Sequence, residues 1–221
     1  RCPWSALTGH GLQHHGVRTP RTMIVHKDNI DEVFHTLGAP LIVKQPDSAF
    51  SQGVIKAEDL ASFTALVERM LDKSDLLIAQ EFLPTAFDWR VGVFDGQPLY
   101  VCKYFMARKH WQVVQRRESG KMDEGAHQTL AVEQAPRQVV ATAVKAANLM
   151  GNGLYGVDLK QIGNRTYVIE VNDNPNIDAG VEDAVLKERL YLTIVEGFIR
   201  RIERQKGSGS GIERLANTAN L

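Results

Sequence analysis

A chain of 221 residues, 43% of them hydrophobic, is long enough for one large domain or for two small lobes with a core. Its 26 basic residues balance its 26 acidic ones, which gives no support for a general nucleic-acid surface, since that needs a clustered basic excess. No run of about 18 apolar residues marks a membrane span, the N-terminal stretch lacks an apolar core of signal-peptide length, and Cys2 and Cys102 cannot build a disulfide framework, so the cytosol is the expected compartment.

Helices and strands alternate along the chain. Pro20 precedes a short strand around Met23 to Val25, and Asp28 is positioned to cap a helix whose Ile30, Val33, Phe34 and Leu37 follow helical spacing before Gly38 closes it. "LIVK" (41 to 44) reads as a strand, "PDSAFSQG" as a loop, "VIKA" (54 to 57) as a second strand, and Leu60, Phe63, Leu66, Val67, Met70 and Leu71 mark an amphipathic helix. "LLIAQEF" (76 to 82) is a third strand ending at Pro84. "DWRVGVFDGQPLYVCKYFM" reads as a hairpin turning at Asp95-Gly96, a pair suited to positive φ. "HWQVV" is expected to continue the sheet, residues 116 to 128 to form a charged loop, and 136 to 150 a helix. "LYGVDLKQIGNRTYVIEVND" is a second hairpin with its turn at Gly163-Asn164, followed by a long helix over 182 to 204. The segment from 205 to 221 opens with linker-like Gly-Ser composition and is expected to be flexible, and residues 1 to 15 read as an N-terminal segment ahead of a two-lobed domain over 16 to 204. A start at Arg1 rather than methionine suggests a fragment or a processed chain.

The second hairpin carries the strongest chemical signal. Within "VIEVNDNPNID" (168 to 178), Glu170 and Asn172 are two apart on a strand and so share a face. Asp158 lies on the partner strand, and antiparallel neighbours sit about 5 Å apart, so three oxygen donors can converge. Two carboxylates that close repel unless a cation lies between them, and a small set of oxygen ligands suits Mg²⁺ or Mn²⁺ shared with phosphates. Spacing alone is equally consistent with a solvated polar sheet face. Lys44 at the end of "LIVK", the loop Ser51-Gln52-Gly53 with backbone N–H groups able to meet a phosphate, Gln80-Glu81-Phe82 at a strand end, and Asp88, Arg90 and Lys103 on paired strands add the parts of a polyphosphate and metal site.

With those residues in view, "LYGVDLK…YVIEVNDNPNID" resembles the RimK branch of the ATP-grasp ligases, and the likeness runs from about Gly16 to Glu203. The resemblance implies an α+β ATP-grasp fold in which two α+β lobes with antiparallel sheets clamp ATP. It implies metal ligands at Asp158, Glu170 and Asn172, a nucleotide side at Lys44, Ser51, Gln52, Gly53, Gln80, Glu81, Phe82 and Asp88, and a catalytic phosphate side at Arg90 with Lys103. The implied reaction passes the terminal phosphoryl group of ATP to a carboxylate, and an amine then displaces phosphate to form an amide; branch members add an amino acid such as glutamate to a small-molecule, peptide or protein acceptor. No nucleic-acid or membrane partner is implied, and homo-oligomerisation stays open. The rival readings are a nucleotide-binding regulatory protein and an inactive fragment that keeps the fold.

The sequence departs from the branch at several points. Asn176 stands where a glycine usually follows the proline of the metal strand, and "ARKHWQVVQRRESG" replaces a basic histidine-glycine loop, so His110 and Trp111 are candidates for a different acceptor pocket. The domain that commonly precedes the two lobes is not recognised, which leaves turnover by this chain alone in question. "GNGLYG" (151 to 156) follows a helix and precedes a strand, the reverse of dinucleotide-binding order, and reads as a helix stop. His10, His14 and His15 near Cys2 lack the paired spacing of a structural zinc site. "RRESGK" (116 to 121) reads as a solvated loop or a flap over ATP.

Overall fold

A computed structural model describes residues 11–46, 53–108, 110–116 and 122–218. The first lobe holds β1 (Thr22–Val25), α1 (Ile30–Leu37), β2 (Leu41–Lys44), β3 (Ile55–Ala57), α2 (Leu60–Leu71) and β4 (Leu77–Glu81). Its strands form an antiparallel sheet in the order β1-β4-β2-β3. Alternation along these strands sends Val25, Leu41, Val43, Ala57, Leu77 and Ala79 into a core with Val33, Leu37, Phe63, Leu66, Val67 and Met70 of the two helices. The other face of the sheet therefore carries Ile42, Lys44, Ile78 and Gln80. Asn29, not Asp28, takes the cap position of α1, and its amide ties the His26 N–H and the Ile24 carbonyl instead of the first helical turn. At α2 the cap is complete: Asp59 accepts from Ser62 N–H, and the Ser62 hydroxyl accepts from Asp59 N–H.

The second lobe runs β5 (Phe87–Phe94), β6 (Gln97–Phe105), β7 (Val114–Arg116), β8 (Met122–Glu124), β9 (His127–Leu130), α3 (Arg137–Met150), β10 (Leu154–Ile162), β11 (Arg165–Asn172) and α4 (Glu188–Thr218). Five strands pair antiparallel in the order β11-β10-β5-β6-β9. One face packs Trp89, Val91, Val93, Val101, Val157, Leu159 and Val168 on α3. The other face packs Phe94, Leu99, Tyr100 and Cys102 against Ile177, Leu186, Leu190 and Ile194. The turn at Asp95-Gly96 has φ of 54° and 73°, as the sequence predicts for a pair with positive φ.

Three expectations are corrected. "HWQVV" does not continue the main sheet: Trp111 to Val113 bend away, and β7 pairs with β8 in a separate ribbon. The stretch read as a charged loop supplies β8 and the start of β9, and β9 becomes the sheet edge next to β6. Its sequence, "HQTL", has no apolar alternation to reveal it, so the pairing comes from the neighbour rather than from pattern. The last helix starts at Glu188 rather than 182, because Asp183 holds Gly180 N–H and the Tyr191 hydroxyl in a turn and Lys187 takes a positive φ of 50°. Its backbone stays helical through Thr218, across the Gly-Ser stretch that composition reads as a linker. No helix of the described residues is long and apolar enough to cross a membrane.

Two glycines shape the face of the large sheet that bears the charged residues. Gly92 and Gly156 stand opposite each other on β5 and β10. A Cβ on Gly92 would lie 2.2 Å from the Tyr100 ring, and one on Gly156 would lie 2.7 Å from Pro175 Cβ. The absent side chain at Gly156 is what lets the segment after β11 fold back over β10. Gly156→Ala is expected to cost about 1–3 kcal/mol by overpacking and to lower Tm by several degrees in a thermal melt; an unchanged Tm would mean that Pro175 is free to move.

Candidate functional site

Register brings the predicted residues into one line. Arg90 pairs with Asp158 across β5 and β10, and Asp158 pairs with Glu170 across β10 and β11. The same row continues outward through Cys102 on β6 and Thr129 on β9. A bulge makes this possible. Asp158 faces Glu170 but Leu159 faces Val168, so Ile169 is the extra residue on β11. Without it, Val168, Glu170 and Asn172 would share one face; with it, Val168 stays in the core against α3 while the two polar residues turn to the opposite side.

Within the row, Arg90 grips Asp158 with two parallel bonds, Nε to Oδ1 at 2.7 Å and Nη2 to Oδ2 at 2.9 Å. Asn172 Nδ2 donates to Asp158 Oδ2 at 3.1 Å, which leaves the amide oxygen of Asn172 as the acceptor not used in that bond. Glu170 makes no hydrogen bond or ion pair among the described residues. Its surface is open to the gap between the lobes, yet protein crowds it on both sides. Loss of solvation and the neighbouring Asp158 push its carboxyl above the usual glutamate range, against the pull of Lys44 and Arg90. Lys44 faces it from the side of the first sheet opposite the helices. Desolvation pushes the Lys44 ammonium below the usual lysine range, and Glu170 counteracts that. This electrostatic contact spans the two lobes.

The donor set fits a hard divalent cation: two carboxylates and an amide oxygen on adjacent strands, one carboxylate without a hydrogen bond and raised in pKa by desolvation and by the other. Among the described residues no three His, Cys, Asp or Glu side chains converge on a metal position. Such a site must draw its remaining ligands from elsewhere, as Mg²⁺ does from phosphates and water.

The other predicted residues divide. Asp88 lies on the same face as Arg90, but it is tied to Lys160, at 2.5 Å, and to the Thr85 hydroxyl. Burial raises the Asp88 pKa, with Lys160 opposing. Lys160 was not foreseen, although its position two residues after Asp158 puts it on that face. Lys103 is a correction. Cys102 pairs with Arg90, so the next residue, paired with Trp89, points to the α3 side, where its Nζ lies 4.9 Å and 5.0 Å from the centres of the Phe87 and Trp89 rings. One residue of register separates the two faces.

Gln80 is buried and donates to the Thr22 hydroxyl, and Glu81 binds Arg21 through its backbone N–H and Nε, so both side chains serve the first lobe internally. Phe82 lies at the junction of the lobes, edge-on to Trp111 at 5.9 Å, with Lys56 Nζ 4.8 Å from its ring centre. Trp111 stacks in turn on His110, and Gln112 Nε2 donates to Val54 O at 3.5 Å. Through these contacts His110 and Trp111 lie at the Phe82 end of the junction between the lobes. Gly53 has a φ of 73° and closes the loop whose Ser51 and Gln52 lie outside the described residues. Sequence reasoning missed Tyr104, whose ring lies beside Arg90, and Glu182, which accepts from the Tyr104 hydroxyl.

A family model for the RimK-like ATP-grasp domain matches residues 7–185. A Vibrio vulnificus protein named "Probable alpha-L-glutamate ligase" is 30% identical over 203 residues, covering 90% of this chain, and the chain spans 65% of that protein's length. Among solved structures, the D-alanine-D-alanine ligase of Coxiella burnetii aligns with a TM-score of 0.70 at 16% identity, over 96% of this chain and 61% of the other. The ATP-complexed D-alanine–D-alanine ligase of Bacillus anthracis aligns with a TM-score of 0.67 at 18% identity, over 92% of this chain and 66% of the other. The two facing antiparallel sheets are the ATP-grasp fold, and this chain belongs to the RimK-like ATP-grasp domain family.

Proposed function

We propose that this chain is the nucleotide-binding and phosphoryl-transfer portion of an ATP-dependent carboxylate–amine ligase, one that adds an amino acid of the glutamate type to an acceptor amine or acid. The observation that carries the reading is the row Arg90–Asp158–Glu170, flanked by Asn172 and faced across the gap by Lys44. The glutamate assignment follows the names of relatives such as the Vibrio protein and one from Syntrophotalea carbinolica, 29% identical. ATP as cosubstrate suits a cytosolic location.

The chemistry needs placement and charge more than covalent participation by the protein. A carboxylate oxygen of the first substrate attacks the terminal phosphorus of ATP, and the bond to the ADP oxygen breaks. An amine then attacks the acyl carbon, phosphate leaves, and the amine loses a proton. Lys44 supplies one fixed cation from the first lobe. Arg90 supplies another from the second: Asp158 engages Nε and Nη2, so Nη1 is the nitrogen left to donate to a phosphate oxygen. Asp158, Glu170 and the Asn172 oxygen would hold Mg²⁺ or Mn²⁺, which when bound neutralises the phosphates and the leaving group. Phe82 with its Trp111 and Lys56 neighbours forms the apolar end suited to a base. A nucleotide-binding regulator would keep all of these contacts and lack only the amino-acid-dependent release of ADP.

Glutamate-dependent ADP release, measured with a panel of amine and acid acceptors, separates these readings. ADP release above the ATP-only rate is expected for at least one acceptor. Nucleotide binding that never becomes turnover would favour the regulator.

At about 100 times its dissociation constant, MgATP stabilises a native protein by roughly 2.7 kcal/mol, which for a domain of this size is a rise in Tm of about 5–10 °C. Asn172→Ala and Arg90→Ala are expected to lose most of that shift, and EDTA to remove it from the parent. Protection of the variants equal to that of the parent would remove the row from the nucleotide site.

Glu170 gives a pH test. Its folded pKa is raised, so the stability tied to its protonated form is present below the ordinary value of about 4.5 and is lost as pH rises through the folded value. Ligand-free Glu170→Gln is therefore expected to melt no lower than the parent at pH 7, with any advantage fading as pH falls toward 4.5. Over the same window, protons compete with the cation, so the parent's Mg²⁺ affinity by calorimetry should fall with pH while the variant's stays low and flat. A variant that melts well below the parent at pH 7 would show that Glu170 has a structural partner.

A further inference from the structure

Beside the row lies a buried carboxylate that the proposed chemistry does not use. Glu182 is 1% exposed, in the turn-rich segment between β11 and α4. One of its oxygens accepts from the Tyr104 hydroxyl, and the other accepts from Asp178 N–H at 2.8 Å. Its neighbour Val181 is held from the same side, since the Thr129 hydroxyl donates to the Val181 carbonyl at 2.6 Å. Tyr104 sits on β6 opposite Asp88, diagonal to Arg90, and the Arg90 guanidinium carbon lies 5.4 Å from the centre of its ring. Burial and the bond to Glu182 raise the phenol pKa, so Tyr104 remains a donor at neutral pH.

A carboxylate this deeply buried is costly unless fully bonded. Packing alone does not call for one here, because the core on this face of the large sheet is built from Ile177, Leu186 and Leu190 around Tyr100 and Cys102. What Glu182 does is join two things that must hold a fixed relation: the ring against which Arg90 rests, and the segment that follows the candidate metal ligands Glu170 and Asn172. That segment is also held at Pro175 over Gly156.

We propose that Glu182 and Tyr104 are positioning residues: Glu182 fixes the Tyr104 ring, the ring holds Arg90 in its two-bond grip on Asp158, and the same carboxylate locks residues 173–187 over the charged row. The inference rests on the reading of Arg90 as the phosphate-side cation, and it adds the part of the fold that sets its aim. The latch lies on the second lobe, away from Phe82, so it acts on alignment at the transferring phosphoryl group rather than on capture of the base.

The test uses the whole chain with Tyr104→Phe, which keeps the ring and removes the hydroxyl, and Glu182→Gln, which keeps the shape and removes the charge. The first readout is the Arg90 Nε–H signal in a proton–nitrogen correlation spectrum, assigned by its loss in Arg90→Lys. Its bond to Asp158 protects it from exchange, and faster exchange by about tenfold is expected in both variants. The second is glutamate-dependent ADP release, where kcat is expected to fall by about 10- to 100-fold, as for a misaligned reacting group, with KM for ATP and the MgATP melting shift retained. A lower Tm with unchanged Arg90 exchange and unchanged kcat would overturn the proposal and leave the latch a structural brace. If the parent shows no amino-acid-dependent turnover, the ligase reading fails separately, and the exchange measurement still decides whether the latch holds Arg90. Should Glu182→Gln not fold, Tyr104→Phe alone carries both readouts.

Discussion

The bidentate pair of Arg90 and Asp158 is the interaction on which the rest of this site depends. Both side chains are about three-quarters buried, with 24% and 23% exposure. At that depth, removing Arg90 would leave the Asp158 and Glu170 carboxylates side by side without the cation that grips Asp158, and an uncompensated buried charge is far costlier than a missing surface pair. The pair also fixes geometry. A fork of two parallel bonds allows one orientation of the guanidinium, which a single lysine contact would not. Asn172 completes the arrangement by bonding the same carboxylate from the next strand.

The site is held at a cost to the protein that carries it. Glu170 has no hydrogen bond or ion pair among the described residues, is raised in pKa by desolvation and by the carboxylate it faces, and lies on an edge strand interrupted by a bulge. None of these features stabilises the fold, and each makes sense if a cation is to be bound. Proteins commonly tolerate such local strain and repulsion where binding requires it. The remainder of the second lobe compensates through conventional means: α3 buries alanines and valines against one face of the sheet, and the segment after β11 is tied down at Pro175, Asp178, Val181 and Glu182.

Communication between the lobes uses different forces at the two ends of the cleft. At the Phe82 end, contact is aromatic and short-ranged, through Trp111 and Lys56. At the Glu170 end it is electrostatic, through Lys44. In the proposed reaction, polyphosphate with its cation would enter between Lys44 and Glu170, whose opposite charges attract in the free chain. The same charges that draw the lobes together in the free chain would then be bridged rather than apposed.

Most of the local structure was legible from sequence because it rests on periodicity. Apolar spacing located α1, α2 and α3, strand alternation located the sheet strands other than β8 and β9, and Asp95-Gly96 located a turn that needs positive φ. The candidate metal residues were legible too, since Glu170 and Asn172 are two apart and Asp158 lies on the adjoining arm of a hairpin. What periodicity cannot supply is register between strands that are distant in sequence. It misjudged Lys103, which one step of register sends to the other face, and it could not show that a bulge at Ile169 separates Val168 from Glu170. It missed β9, whose polar sequence pairs only because β6 offers an edge, and it read Glu182 as part of a helix. Tyr104 and Glu182 are 78 residues apart, and no local pattern links a phenol to a carboxylate at that distance. The sequence by itself determined the elements and the chemical character of the site, because those depend on neighbours along the chain. The tertiary structure alone decided which face each charge occupies and which buried groups hold Arg90 in place, because those depend on packing between strands and segments that meet only when the chain is folded.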